Sequence, residues 1–288
     1  MRQLIVTSDD FGMASSVNEA VIDTHTRGVL TSASLMVNGA AVEEAARLAR
    51  QTPSLAVGLH LTLAQGRAVL PPERIPHLTD ADGFFSNNAA GAGWRYFFDP
   101  ACRREIEAEV RAQIEKFLAL GLKMDHLDGH MNIHLHPVVR DLLVRLGGEY
   151  PIRALRVPRQ PWWQACRLHR RELLSKTLHA LVFGALGARA RAAMRGRGLR
   201  YADRVYGMLE SGGMNEAYLL ELLRRLPEGV SEVYFHPART PCADFLKWNP
   251  TYQAVAEWEA LTSPRVRDLI GQEGIQLVTY GRICESAV

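Results

Sequence analysis

The stretch "LIVTSDDFG", residues 4–12, passes from an apolar, β-branched run into two adjacent acids and a glycine. The run reads as a buried strand, and the acids with the glycine read as the loop at its carboxyl end. A helix is expected next, opening at Ser15 or Ser16 and stopped by Gly28. The unit then repeats. "LTSASLMVNG" (30–39) is a second strand, "AAVEEAARLARQ" (40–51) a second helix and "LAVGLHLTL" (55–63) a third strand.

Residues 66–100 break the rhythm with Pro71-Pro72, "TDADG", "NNAAGAG" and the aromatic patch "WRYFF", an insert too long for an ordinary connection. Beyond it, "REIEAEVRAQIEKFLALG" (104–121) has helical spacing, "KMDHLDG" (123–129) is a strand, "VVRDLLVRLGG" (138–148) a helix and "ALRVPR" (154–159) a strand. Residues 162–200 read as irregular helix. "RVYGML" (204–209), the helix "AYLLELLRRLP" (217–227), "SEVYFHP" (231–237), a helix opened by Ser263-Pro264 and "IQLVTY" (275–280) complete the series. About seven strands alternating with helices predict an α/β fold with a parallel sheet, open or closed into a barrel, in a single domain with inserts at 66–100 and 162–200.

The totals bound the function. A chain of 288 residues, 47% hydrophobic and 23% charged, suits one soluble α/β barrel. No run approaches the length of a membrane span, and "MRQLIV" carries no secretory signal, so a cytoplasmic protein is expected. Cys102, Cys166, Cys242 and Cys284 lie far apart without a CxxC pair, which argues against a thiolate zinc site or a disulfide framework. The formal charge of +3 hides an asymmetry: from Arg153 to Arg204 there are 13 bases against two acids, Glu172 and Asp203. The rest of the chain is net acidic.

Polar residues punctuate the carboxyl ends of the strands, the edge that carries the site in parallel α/β folds. Asp9-Asp10, His60, the group "HLDGHMNIHLHP" (126–137) and His236-Pro237 all fall there. Imidazole and carboxylate together suit a divalent cation. In extended backbone Asp9 and Asp10 point to opposite sides, so one can face a metal while the other handles water. His126, Asp128 and His130 alternate, which puts them on one face if the strand persists. Asp128 is then placed to orient a ligating histidine. The spacing of Asp10, His60 and His130 matches no local metal motif, so spacing alone leaves a metal site and a set of hydrogen-bonded loop histidines equally open. His136, before Pro137, reads as an ordinary helix entry.

The motifs "TSDDFG", "TSASLMVNG", "VGLHLTL", "HLDGHMNIHLHP", "LRVPRQP" and "VYFHP", in this order, resemble the YdjC-like carbohydrate deacetylases along essentially the whole chain. "AVLPPERIPHL" and the "DADGFF…WRYFFDP" insert resemble the hopanoid-biosynthesis branch, HpnK, more than the chitooligosaccharide branch. The resemblance implies a distorted (β/α) barrel of about seven strands that hydrolyses an N-acetyl group from an amino sugar. It also implies one divalent ion, zinc or magnesium, held by Asp10, His60 and His130. Asp9 becomes the general base and His236 the acid. Asp128, His134, Asn38 and Arg156 become candidates for supporting a ligand or touching the sugar.

A hopanoid substrate is a lipid with a sugar head, and the basic, leucine-rich stretch 162–200, with Trp162-Trp163, suits peripheral contact with an anionic membrane. No nucleic-acid motif accompanies it, and a homo-oligomer remains open. Rival readings are a chitooligosaccharide deacetylase, a metal-dependent phosphoesterase and a non-enzymatic basic lipid-binding protein. The last would leave the acids and histidines at four strand ends unexplained.

Overall fold

β1 (Arg2–Phe11) has neighbours on both edges, which is why a nearly continuous apolar run suits it. The computed structural model describes residues 1–161 and 173–285. From one edge of β1 the sheet continues through β2 (Ser32–Leu35), β3 (Ala56–Leu61) and β4 (Met124–Gly129), all parallel. On the other edge β6 (Gly229–Phe235) pairs directly with β1, from Arg2 opposite Gly229 to Ser8 opposite Phe235, and β5 (Arg204–Tyr206) lies beyond β6. β7 (Gln276–Leu277) pairs with β1 at Gln3 and Leu4.

Between β4 and β5 the circle is completed by single bridges, Leu127 with Leu155, Ala154 with Arg200 and Arg159 with Val205. The strand expected over 154–159 is thus reduced to bridges. Pro158 has no N–H to extend a ladder there. The strands expected at 30–39, 204–209 and 275–280 are likewise trimmed to four, three and two residues. The expected α/β architecture, a distorted barrel of parallel strands, is what forms.

Helices cover the outside. They include α1 (Ser15–Arg27), α2 (Val42–Gln51), α3 (Ala89–Phe98), α4 (Pro100–Ala119), α5 (Pro137–Leu146), α6 (Leu173–Met194) and α7 (Glu216–Arg224). After β6 come α8 (Ala243–Trp248), α9 (Ala254–Thr262), α10 (Pro264–Gln272) and α11 (Tyr280–Glu285). Among the described residues, no helix is long and apolar enough to cross a membrane. The expected start of α1 at Ser15 and stop at Gly28 both hold. Trp162 and Trp163 lie outside the described residues.

The insert has more order than its composition suggests. Asn88 caps α3 by accepting from the Gly91 N–H, and buried Glu109 on α4 accepts from the N–H groups of Val69 and Leu70 at 2.8 and 2.9 Å. Burial raises the Glu109 carboxyl above its usual value.

Inside the barrel the side chains are largely polar. Ile5, Thr7 and Asp9 of β1 face the lumen together with Ser32 and Ser34 of β2, His60 of β3, His126 and Asp128 of β4, and Glu232 and Tyr234 of β6. Thr7 hydroxyl reaches Ser32 at 2.9 Å and Glu232 at 2.8 Å. Gly58 makes room for His126, since a Cβ at position 58 would stand 2.5 Å from the imidazole ring. The base of the lumen is plugged by Tyr280, whose ring stacks on His126 and whose hydroxyl donates to Glu232 at 2.6 Å.

Candidate active site

β1 delivers both acids to the mouth of the barrel by abandoning extended geometry. Asp9 follows the period of the strand and faces the lumen, while Asp10 has φ +63°, a left-handed conformation that turns it back toward the same cleft. The expected opposite pointing of the two acids applies only to extended backbone, and this residue is not extended. Gly12, at φ +91°, continues the turn, and its N–H donates to the Asn18 side chain at 2.8 Å. Asn18 in turn donates to the Ala41 carbonyl and to Glu44, tying the acid-bearing loop to α1 and α2.

Asp10, His60 and His130 converge. His60 Nε2 is 3.4 Å and His130 Nδ1 3.0 Å from Asp10 Oδ1, and the two imidazole rings meet edge to face at 5.5 Å. All three residues are buried. Asp10 Oδ2 and His130 Nε2 have no protein partner although buried. One carboxylate and two imidazoles with spare donor atoms fit a divalent ion, the group implied by the sequence motifs. A second geometric grouping, Asp9 with His60 and Asp128, does not fit one as well. A cation already occupies it: Arg156 Nη1 lies 2.7 Å from both Asp9 Oδ2 and Asp128 Oδ2.

Arg156 is fully buried and organises the lumen. It grips both oxygens of Asp9 at 2.7 and 2.8 Å, pairs with Asp128 and Glu232, and lies over the Tyr234 ring at 4.4 Å. Burial opposes its charge, but three carboxylates hold its pKa well above the usual value. Asp128 also accepts from His60 Nδ1 at 2.7 Å and from the Ser34 hydroxyl at 2.8 Å, which leaves His60 Nε2 directed at Asp10. Burial works against a charged His60, yet Asp128, Asp9 and Asp10 raise it to about 9. For Asp10, burial is outweighed by His130, His236 and His60, which hold the carboxyl below the usual carboxylate range.

His236 stands on the far side of Asp9, its Nε2 3.9 Å from Asp9 Oδ2 and its ring edge-on to Tyr252. Burial lowers its pKa, so the imidazole rests neutral. Its backbone N–H donates at 2.6 Å to buried Glu257, which burial raises to about 7. A cleft of about 240 Å³ reaches these groups, walled by Asn132, Met208, Tyr234, Asn249 and Tyr252.

His134 points away from the acids and binds the Arg156 carbonyl at 2.9 Å; burial lowers its pKa to about 4, so it stays neutral and donates. Asn38 donates to the carbonyl of Arg67 in the insert, at the edge of the mouth. His136 opens α5 as expected, against the rings of Tyr96 and Phe97. His126, the first histidine of the 126–137 group, serves the lumen: it contacts Ser34, Asp125 and Tyr280. Glu232, Tyr280, Asn18 and Glu257 were not legible as site residues. Only Glu232 carries a sequence signal, polar residues at every second position of "EVYFH"; Asn18, Glu257 and Tyr280 lie on helices, where no such period marks them.

Fold and site together define a parallel α/β barrel with a buried Asp-His-His centre at its carboxyl mouth. The chain belongs to the family of YdjC-like proteins, whose pattern it matches over residues 3–272. It is 32% identical over 282 residues to a carbohydrate deacetylase of Brevibacillus brevis, covering 98% of this chain and 99% of that protein. It is 31% identical over 303 residues to a human carbohydrate deacetylase, covering 96% of this chain and 89% of the relative. A crystal structure from Enterococcus faecalis, of a protein assigned to cellobiose-phosphate cleavage, superposes with a TM-score of 0.71 at 26% identity, covering 98% of both chains.

Proposed function

We propose that the protein is a metal-dependent deacetylase that hydrolyses the N-acetyl group of an amino sugar. The observation that carries the reading is the convergence of Asp10, His60 and His130 beside Asp9 and His236, and the deacetylase relatives supply the substrate class. A divalent ion held by Asp10, His60 and His130 would supply Lewis acidity, lowering the pKa of water and polarising the acetyl oxygen.

The chain's own groups move the protons. Asp9, oriented by Arg156 on both oxygens, takes a proton from the attacking water. His236 begins neutral, so it must receive a proton before it can give one. Asp9, whose Oδ2 lies 3.9 Å from His236 Nε2, is the carboxylate placed to pass that proton on. His236 then protonates the sugar nitrogen as the carbon–nitrogen bond breaks, and acetate and amine leave.

A lipid-linked amino sugar, of the N-acetylglucosaminyl hopanoid kind, fits the surroundings better than a free chitooligosaccharide. An apolar groove of about 660 Å³ between α3 and α6 joins the cleft at Met131, Asn132, His179 and Phe183, and it offers an aglycone few polar partners. Incubation of metal-loaded protein with the glycolipid and with chitobiose, read as acetyl loss by mass spectrometry, tests both levels. Release from neither ends the deacetylase reading. Release from chitobiose alone ends the lipid assignment.

A further inference from the structure

The two helices flanking the mouth raise an exposed apolar rim along the groove, and on α6 the apolar surface continues beyond the groove. On α6, Leu178, Phe183 and Leu186 line the groove, Leu178 while 62% exposed, and Leu174 and Leu181, outside it, are exposed to 86% and 68% of their full areas. On α3, the opposite wall of the groove, Trp94 and Phe98 line it and are still 71% and 62% exposed. From Leu178 to Leu186 the only polar side chain of α6 is His179. A helix on the surface of a protein that meets only water carries a polar outer face. This one does not.

We propose that the ridge formed by α3 and α6 seats in an anionic lipid bilayer, with the mouth of the barrel held at headgroup level. Contiguous exposed apolar surface marks an interaction site, and the charges around this patch indicate what covers it. Residues 173–202 contain six bases and no acid, and Arg95, Arg103 and Arg189 are exposed. An apolar ridge within a basic surround matches acyl chains beneath anionic headgroups, with tryptophan and phenylalanine at the boundary. A second copy of this chain would set bases against bases. The groove runs from this ridge to the catalytic cleft, so a lipid tail could slide from bilayer to groove without crossing water.

The proposal goes beyond the deacetylase reading and stands apart from it, because its test contains no amino sugar. The full chain would be floated with phosphatidylcholine vesicles and with vesicles that also contain phosphatidylglycerol. Two double variants would be run beside it, Leu174→Ser with Leu181→Ser, and Trp94→Ser with Phe98→Ser. All four positions are exposed, and circular dichroism checks that the variants fold. The wild type should float with the anionic vesicles, and each variant should bind at least about tenfold more weakly, as loss of two inserted apolar side chains requires. Absence of wild-type binding would overturn the proposal. So would equal binding by the variants, which would assign the attraction to charge alone. A wild-type dimer that the Leu181 variant dissociates, with no vesicle binding, would give the ridge to a second copy instead.

Discussion

Asp9 and Asp10 are neighbours in the chain, yet one is clamped by a guanidinium and the other faces two imidazoles, because φ changes sign between them. Their replacements should therefore separate. Asp9→Asn is expected to retain metal and lose on the order of 10²–10⁴ in turnover, the usual worth of a general base. His60→Ala and His130→Ala should lose metal as well. Metal analysis alongside acetate release decides it, and equal metal loss in all three would remove Asp9 from the base role. Since His60 rises to about 9, a metal must displace its proton, so apparent affinity should climb as pH is raised toward 9. Titration with zinc at several pH values reads this directly. His134 behaves in the opposite sense. Its folded pKa of about 4 lies below the ordinary 6.5, so its neutral form contributes stability above pH 6.5 that is lost as pH falls toward 4. The loss amounts to about 3 kcal/mol. Urea unfolding of His134→Gln should lack that part of the acid slope.

At the scale of elements, the alternation of strand and helix was readable because apolar runs and glycine stops are local signals. Strand lengths were not, since Pro158 and the barrel's curvature truncate ladders that hydrophobicity would continue. Asp10, His60 and His130 were placed by motif, and the structure brings them together; their meeting depends on the register of β1, β3 and β4, which no spacing encodes. The lumen was missed for a related reason. "LIVTSDD" reads as a core strand until Thr7 and Asp9 are seen to share a face, and Glu232 looks like a surface acid until Arg156 arrives from another segment. The helix under the aromatic patch 94–98 was not legible within the insert because its cap, Asn88, sits among residues typical of turns. The insert is pinned to α4 by Glu109, whose carboxylate serves two backbone donors and Gln113. Glu109→Ala should cost about 1–3 kcal/mol by leaving those donors unpaired. Hydrogen exchange should rise selectively at Val69 and Leu70; uniform exchange across the insert would show that Glu109 does not anchor it.

Across the whole molecule, a single guanidinium balances Asp9, Asp128 and Glu232 from three different strands. Arg156→Met keeps much of the volume and removes the charge, which takes the guanidinium from three buried carboxylates and leaves His60 beside Asp128 as the remaining cationic partner. A loss of at least about 3–5 kcal/mol is expected in denaturant unfolding, far more than for an exposed arginine such as Arg265. The same convergence bears on how the chain assembles. β1 finds its partner β6 more than two hundred residues later in the chain, and the Tyr280 plug comes later still. Until then a strand built for an interior has no interior to occupy. Sequence-distant closure of this kind makes for slow folding, and during synthesis β1 is a segment for a chaperone to shield.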